Sequence, residues 1–165
     1  MAPSLTLSRF LAAPDPATAA GPGPARPVLG TLDLAAGAFS GVRYQVPSGY
    51  VVRELRGAKM RTATGLLDEF AATFQFPYYF GDNRDAFDEC LRDLDEFVGD
   101  APGYVVVIRD SAELLADQRE DLEWFDAAMS DAAGYWAGRA VAFRVVLQHR
   151  PAALAPVELT LSDPE

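Results

Sequence analysis

The chain has 165 residues, half of them hydrophobic, with a formal charge of −10, one histidine and one cysteine. That length supports one domain with a core of its own. The acidic balance argues against a nucleic-acid or anionic-membrane surface and favours basic partners. The lone Cys90 excludes an internal disulfide and suits a reducing cytoplasm.

Residues 1–27 are rich in Ala, Pro and Gly and end in GPGPARP. Such a composition buries too little apolar area to offset its ordering entropy, so it predicts a flexible extension. Polar residues and prolines interrupt any apolar run, which predicts neither a signal peptide nor a membrane span. Residues 28–49 hold short pieces, LGTLDLA and the alternating run Val42 to Val46. They read as an edge strand or covering flap outside the main domain of residues 50–165.

Tyr50 to Leu55 predicts the first clear strand. Thr64 is a candidate cap for a helix over LLDEFAATF, whose Leu66, Leu67, Phe70 and Phe74 share one stripe. The loop Phe76–Gly81 follows, and Asn83 stands where its side chain caps a helix beginning near Arg84. At 100° per residue, Phe87, Cys90, Leu91 and Leu94 face the core, while Asp85, Asp88, Glu89 and Glu96 gather opposite with Arg92. Between Asp82 and Glu96 stand seven acids and two arginines, half of the net charge of the whole chain.

Tyr104 to Ile108, YVVVI, predicts a strand covered on both faces. Ser111 opens a helical region to about Ala137, with Ala133 and Gly134 as an interruption. Val141 to Leu147 is the last clear strand, and Val157 to Leu161 a short extra one. This order predicts an α/β domain with a small parallel sheet.

Catalytic chemistry is not legible. His149 stands by itself, so neither a metal site nor a serine or cysteine triad has its ligands or base. No glycine-rich phosphate loop follows a strand, and no cofactor is expected. Asp85 and Glu89, one turn apart, form the one carboxylate pair of interest, but an exposed helix face offers little desolvation to separate their pKa values. Cys90 reads as a small buried apolar group rather than a reactive thiol.

The stretch FPYYFGDNRDAFDECLRDL, Phe76 to Leu94, strongly resembles the signature of the barstar family of intracellular ribonuclease inhibitors. The match combines Pro77, Tyr79, Gly81, Asn83, Asp85, Ala86 and the Cys90-Leu91 pair at fixed spacing. The resemblance implies a three-stranded parallel sheet packed against helices, to which the flanking segments read above add one or two extra edge strands. It also implies a non-enzymatic protein, monomeric when free, whose partner is a basic extracellular-type ribonuclease. Tyr79 would lie against that enzyme, Asp85 would pair with its arginines and Glu89 would enter its phosphate site, with Gly81, Asn83 and Asp88 on the same surface. A third acid from the later helix assists in the family, and Asp126 and Asp131 are both candidates for it. Three positions depart from the pattern: Arg84 for an apolar residue, Asp88 for an aromatic and Glu89 for Asp. They point to a different ribonuclease, or to an acidic interaction module with a non-nuclease partner.

Overall fold

The structure, a computed structural model, describes residues 4–14, 26–77 and 80–161. Six strands lie among them: β1 (Leu5–Thr6), β2 (Leu29–Thr31), β3 (Val51–Arg56), β4 (Gly103–Arg109), β5 (Ala142–Leu147) and β6 (Val157–Thr160). They form one sheet in the order β1-β6-β2-β5-β4-β3, every pair parallel. The α-helices among the described residues are α1 (Leu7–Leu11), α2 (Ala36–Phe39), α3 (Ala63–Phe74), α4 (Arg84–Arg92), α5 (Leu94–Val98) and α6 (Leu122–Ala137).

The sheet is larger than the expected three strands with one or two more at the edges. The three strands β3, β4 and β5 are present, and β2, β6 and β1 continue the ladder beyond β5. A bare edge of β5 would leave a row of unpaired backbone groups. Instead Leu29 to Thr31 pair with Val145 to Leu147 along it. β2 is therefore an interior strand, flanked by β5 and β6, and not an edge flap.

Both faces are covered, as parallel sheets require. On one face Leu55, Val106, Ile108, Phe143 and Val145 pack with α3, α4 and α6. On the other, Val105, Val107 and Val146 pack with Leu7, Phe10 and Leu11 of α1 and with Phe39 and Val42. Residues 5–11, expected within a flexible extension, are thus a packed element. Apolar residues at positions 7, 10 and 11 place one stripe of the short helix on the sheet, and Phe10 is 1% exposed.

The carbonyls of Arg9, Phe10, Leu11 and Ala12, where α1 ends, all accept hydrogen bonds from side chains. Arg144 Nε donates to Phe10 O at 3.1 Å, Tyr50 Oη to Leu11 O at 2.6 Å, and Arg26 to Arg9 O and Ala12 O at 3.0 and 3.2 Å. Cations suit a helix C-terminus because its free carbonyls carry the negative end of the dipole. Arg144 is buried on this face, and desolvation lowers its guanidinium pKa to about 10.

Other boundaries move for local reasons. The cap of helix α3 lies two residues before the expected one, because Thr62 is extended and its Oγ1 accepts from Gly65 N at 3.1 Å. The alternation of Val42 to Val46 makes no strand. Val42–Tyr44 is a 3-10 turn that buries Val42 and leaves Tyr44 exposed. Ser111 caps no long helix: its Oγ exchanges hydrogen bonds with the backbone of His149, and two 3-10 turns precede α6. α6 runs unbroken through Gly134, because Ala132, Ala133 and Trp136 all pack inward.

Candidate functional site

The entry to α4 is built by backbone geometry. Asp82 takes a left-handed conformation with φ +48°, which reverses the chain at the modest cost that Asp tolerates. Asn83 is then extended, and its Oδ1 accepts from Ala86 N at 2.8 Å as an N-cap. Asn83 Nδ2 donates back to Gly81 O at 3.3 Å, a closure that a Cβ on Gly81 would crowd. Asp85 in the first turn and Arg92 in the last both match the helix dipole.

The inner side of α4 is held rigidly. Phe87 meets Phe70 edge to face at 5.0 Å between ring centres and lies 5.7 Å from Trp124. Leu91 O accepts from the buried indole Nε1 of Trp136 at 2.8 Å, so α6 fixes the last turn of α4. Upstream, Phe80 is half-buried and packs edge-on against Phe76 at 5.2 Å. It serves as a lid over the core. Tyr78 and Tyr79 lie outside the described residues.

The outer side carries the acids. Asp85 and Glu89 are exposed one turn apart, and Asp88 is half-buried beside them. Across from it, Asp131 of α6 shares a small recess with Asp88, Arg92, Ala128 and Ala132. Asp131, not Asp126, is therefore the acid that α6 adds to this recess. Asp88 Oδ1 is shielded from solvent with no hydrogen-bond partner among the described residues. Burial raises its pKa above the usual 3.8, and Asp131 and Asp85 push the same way against Arg92.

Arg84 does not pair with Asp88. Its Nη2 lies 3.0 Å from Asp121 Oδ1, and its guanidinium sits over the Trp124 ring at 4.3 Å. Its charge is thereby turned to α6 and away from the acids of α4. No periodicity could have revealed this, because Asp121, just before α6, and Trp124, in its first turn, lie some forty residues downstream. Cys90 is 6% exposed on the inner side, its thiol pushed up to about 11 by burial, with Asp93 and Glu89 adding to the shift. Among the described residues no group of His, Cys, Asp and Glu is arranged to hold a metal, and no helix is long and apolar enough to cross a membrane.

A capped acidic helix after an aromatic loop, on a parallel sheet, is the arrangement that the sequence signature implies. Compared with known protein families, residues 50–148 match Barstar (barnase inhibitor). The chain belongs to the barstar family. Members of this family are inhibitors rather than enzymes, and their partners are ribonucleases. The barstar match spans β3 to the end of β5 and contains α4 and Asp131, whereas β1, β2 and β6 lie outside it. Among curated proteins no sequence matches the chain.

Proposed function

We propose that this barstar-family chain acts in the cytoplasm as a monomeric inhibitor of a basic, secreted-type ribonuclease. It would block the enzyme's active site with α4 and the loop before it. The observation that carries this reading is the two-sided chemistry of one rigid helix: Phe87 and Leu91 fully buried, Asp85 and Glu89 exposed one turn apart. A ribonuclease must hold phosphate with cationic side chains, so carboxylates at helical spacing imitate its substrate.

Roles follow from position. Asp85, beside the cap, would pair with enzyme arginines, and Glu89 would reach deeper toward the phosphate site. Asp88 and Asp131 would receive a further donor, and the unpartnered Asp88 Oδ1 is an acceptor waiting for one. Tyr79 would add apolar contact, while Gly81 and Asn83 set the loop against the helix. Association should be fast at low ionic strength and slow as salt screens the acids.

The test is inhibition of a panel of guanyl-type microbial ribonucleases by the wild type and by the double variant Asp85→Ala, Glu89→Ala, at two salt concentrations. Inhibition that weakens with salt and vanishes in the double variant is expected. A folded wild type that neither binds nor inhibits any member sinks the proposal. The reading would then pass to an acidic interaction module with a non-nuclease partner, which the departures at Arg84, Asp88 and Glu89 favour.

A further inference from the structure

We propose that the cleft between α2 and the carboxyl ends of β3, β4 and β5 binds a small zwitterion of the amino-acid class. The cleft lies on the sheet face opposite α4, so this inference does not rest on the inhibitor reading. Its place follows from topology. After β2 the chain passes over one face through α2, where Phe39 and Val42 pack. After β5 it returns along the other, where Leu154 packs. β2 and β5 are the neighbours whose connections part in this way, which opens a crevice at their carboxyl ends, the usual ligand position in open parallel sheets; the cleft lies beside it, under α2 and next to Gln148.

The crevice is lined with polar side chains. On this face the strands present Val52, Val105, Val107 and Val146. Strand alternation then puts Glu54 and Arg109 two residues farther along β3 and β4, and Gln148 just past the end of β5, and all three line the cleft with Ser40 and Arg43. Gln148, 3% exposed, is a fixed floor: its Oε1 accepts from Asp110 N at 2.7 Å and its Nε2 donates to Leu34 O at 3.0 Å.

The charges define the ligand. Arg43 Nη1 is 3.6 Å from Glu54 Oε2, beyond hydrogen-bond length, so both groups keep capacity for a third party. Arg109 has no ion pair among the described residues, and Asp110 adds a second carboxylate to the lining. Two guanidiniums and two carboxylates leave the lining with no net charge, so neither a simple anion nor a simple cation satisfies all of it. A ligand carrying both signs satisfies them: its carboxylate fits the fork of Arg109 and its ammonium fits Glu54. The volume, about 300 Å³, is at the small end for ligand sites and suits a free amino acid.

The test uses the full chain, with thermal unfolding and calorimetric titration against L-glutamate, L-arginine and L-leucine. Acetate, inorganic phosphate and methylammonium serve as single-charge controls. At least one amino acid should raise Tm by roughly 5 to 10 °C at a hundredfold excess over its Kd, with little response to the controls. Arg109→Ala and Glu54→Gln, both partly exposed and outside the core, should each weaken binding about tenfold while leaving the free protein folded. No heat and no shift with any amino acid at millimolar concentration overturns the proposal. An equal response to phosphate overturns it in favour of a plain anion site, and undiminished binding by both variants overturns its location.

Discussion

The guanidinium of Arg84 lies 4.3 Å from the centre of the Trp124 ring, with Asp121 closing the stack at 3.0 Å. A cation in the first turn of an acidic helix is thereby neutralised within its own chain. Release of that cation should harm recognition of a basic partner. Asp121→Asn is expected to slow association with a susceptible ribonuclease about twofold to fivefold at low salt, with the difference lost at high salt. Arg84→Leu should not show the slowing. Equal rates for all three proteins in stopped-flow mixing would refute the role given to Asp121.

Residues 5–11 contribute to stability as a packed element. Phe10→Ala should cost about 3–5 kcal/mol, since it empties a fully buried site between α1 and the sheet. Gly30 supports the same contact: a Cβ there would stand 2.5 Å from Leu159 Cδ1 and 3.1 Å from the Phe10 ring. Gly30→Ala should therefore destabilise as well, by about 1–3 kcal/mol of overpacking. Urea unfolding measures both, and unchanged midpoints would mean that the segment is unpacked in solution.

Cys90 should be chemically quiet. With its thiol pushed up to about 11, the reactive thiolate is a trace at neutral pH. A disulfide reagent is expected to label the native protein far more slowly than the urea-unfolded one. Comparable rates would contradict the burial of this side chain.

Two carboxyls should act oppositely on stability as pH changes. Glu69, 6% exposed, accepts from Arg56 Nε, Nη2 and backbone N at 2.9, 2.8 and 2.8 Å. Those bonds lower its pKa below the usual 4.5. Its contribution is thus complete above 4.5 and is lost as pH falls through the lowered value. Asp88 is raised above 3.8 by burial, so the folded protein holds that proton longer, and stability is lost as pH rises from 3.8 through the raised value. Glu69→Gln should flatten the acid limb of a stability profile, whereas Asp88→Asn should be more stable than wild type at pH 7 and bind a basic partner less tightly. An Asp88→Asn protein less stable than wild type would show that the carboxylate has an internal partner.

What the sequence alone determined was local. The Asn83 cap, the inner side of Phe87, Cys90 and Leu91, the outer side of Asp85 and Glu89, and the strand character of Tyr104 to Ile108 follow from spacing within a few residues. Each depends on one period, 3.6 or 2, acting on its own segment. The barstar signature was legible for the same reason, being contiguous over nineteen residues.

Tertiary structure alone decided how distant segments meet. Leu29 to Thr31 enter the sheet beside β5 because backbone pairing spans more than a hundred residues of chain. The Ala- and Pro-rich composition of the first 27 residues concealed Phe10, whose burial depends on a sheet face formed by other strands. Arg84 turns to Asp121, and Asp131 rather than Asp126 shares the recess with Asp88, because the register of α6 against α4 is set by Trp136 and Leu91. Contacts of that kind have no period in the sequence; they arise when packing two cores on one sheet fixes where each surface group stands.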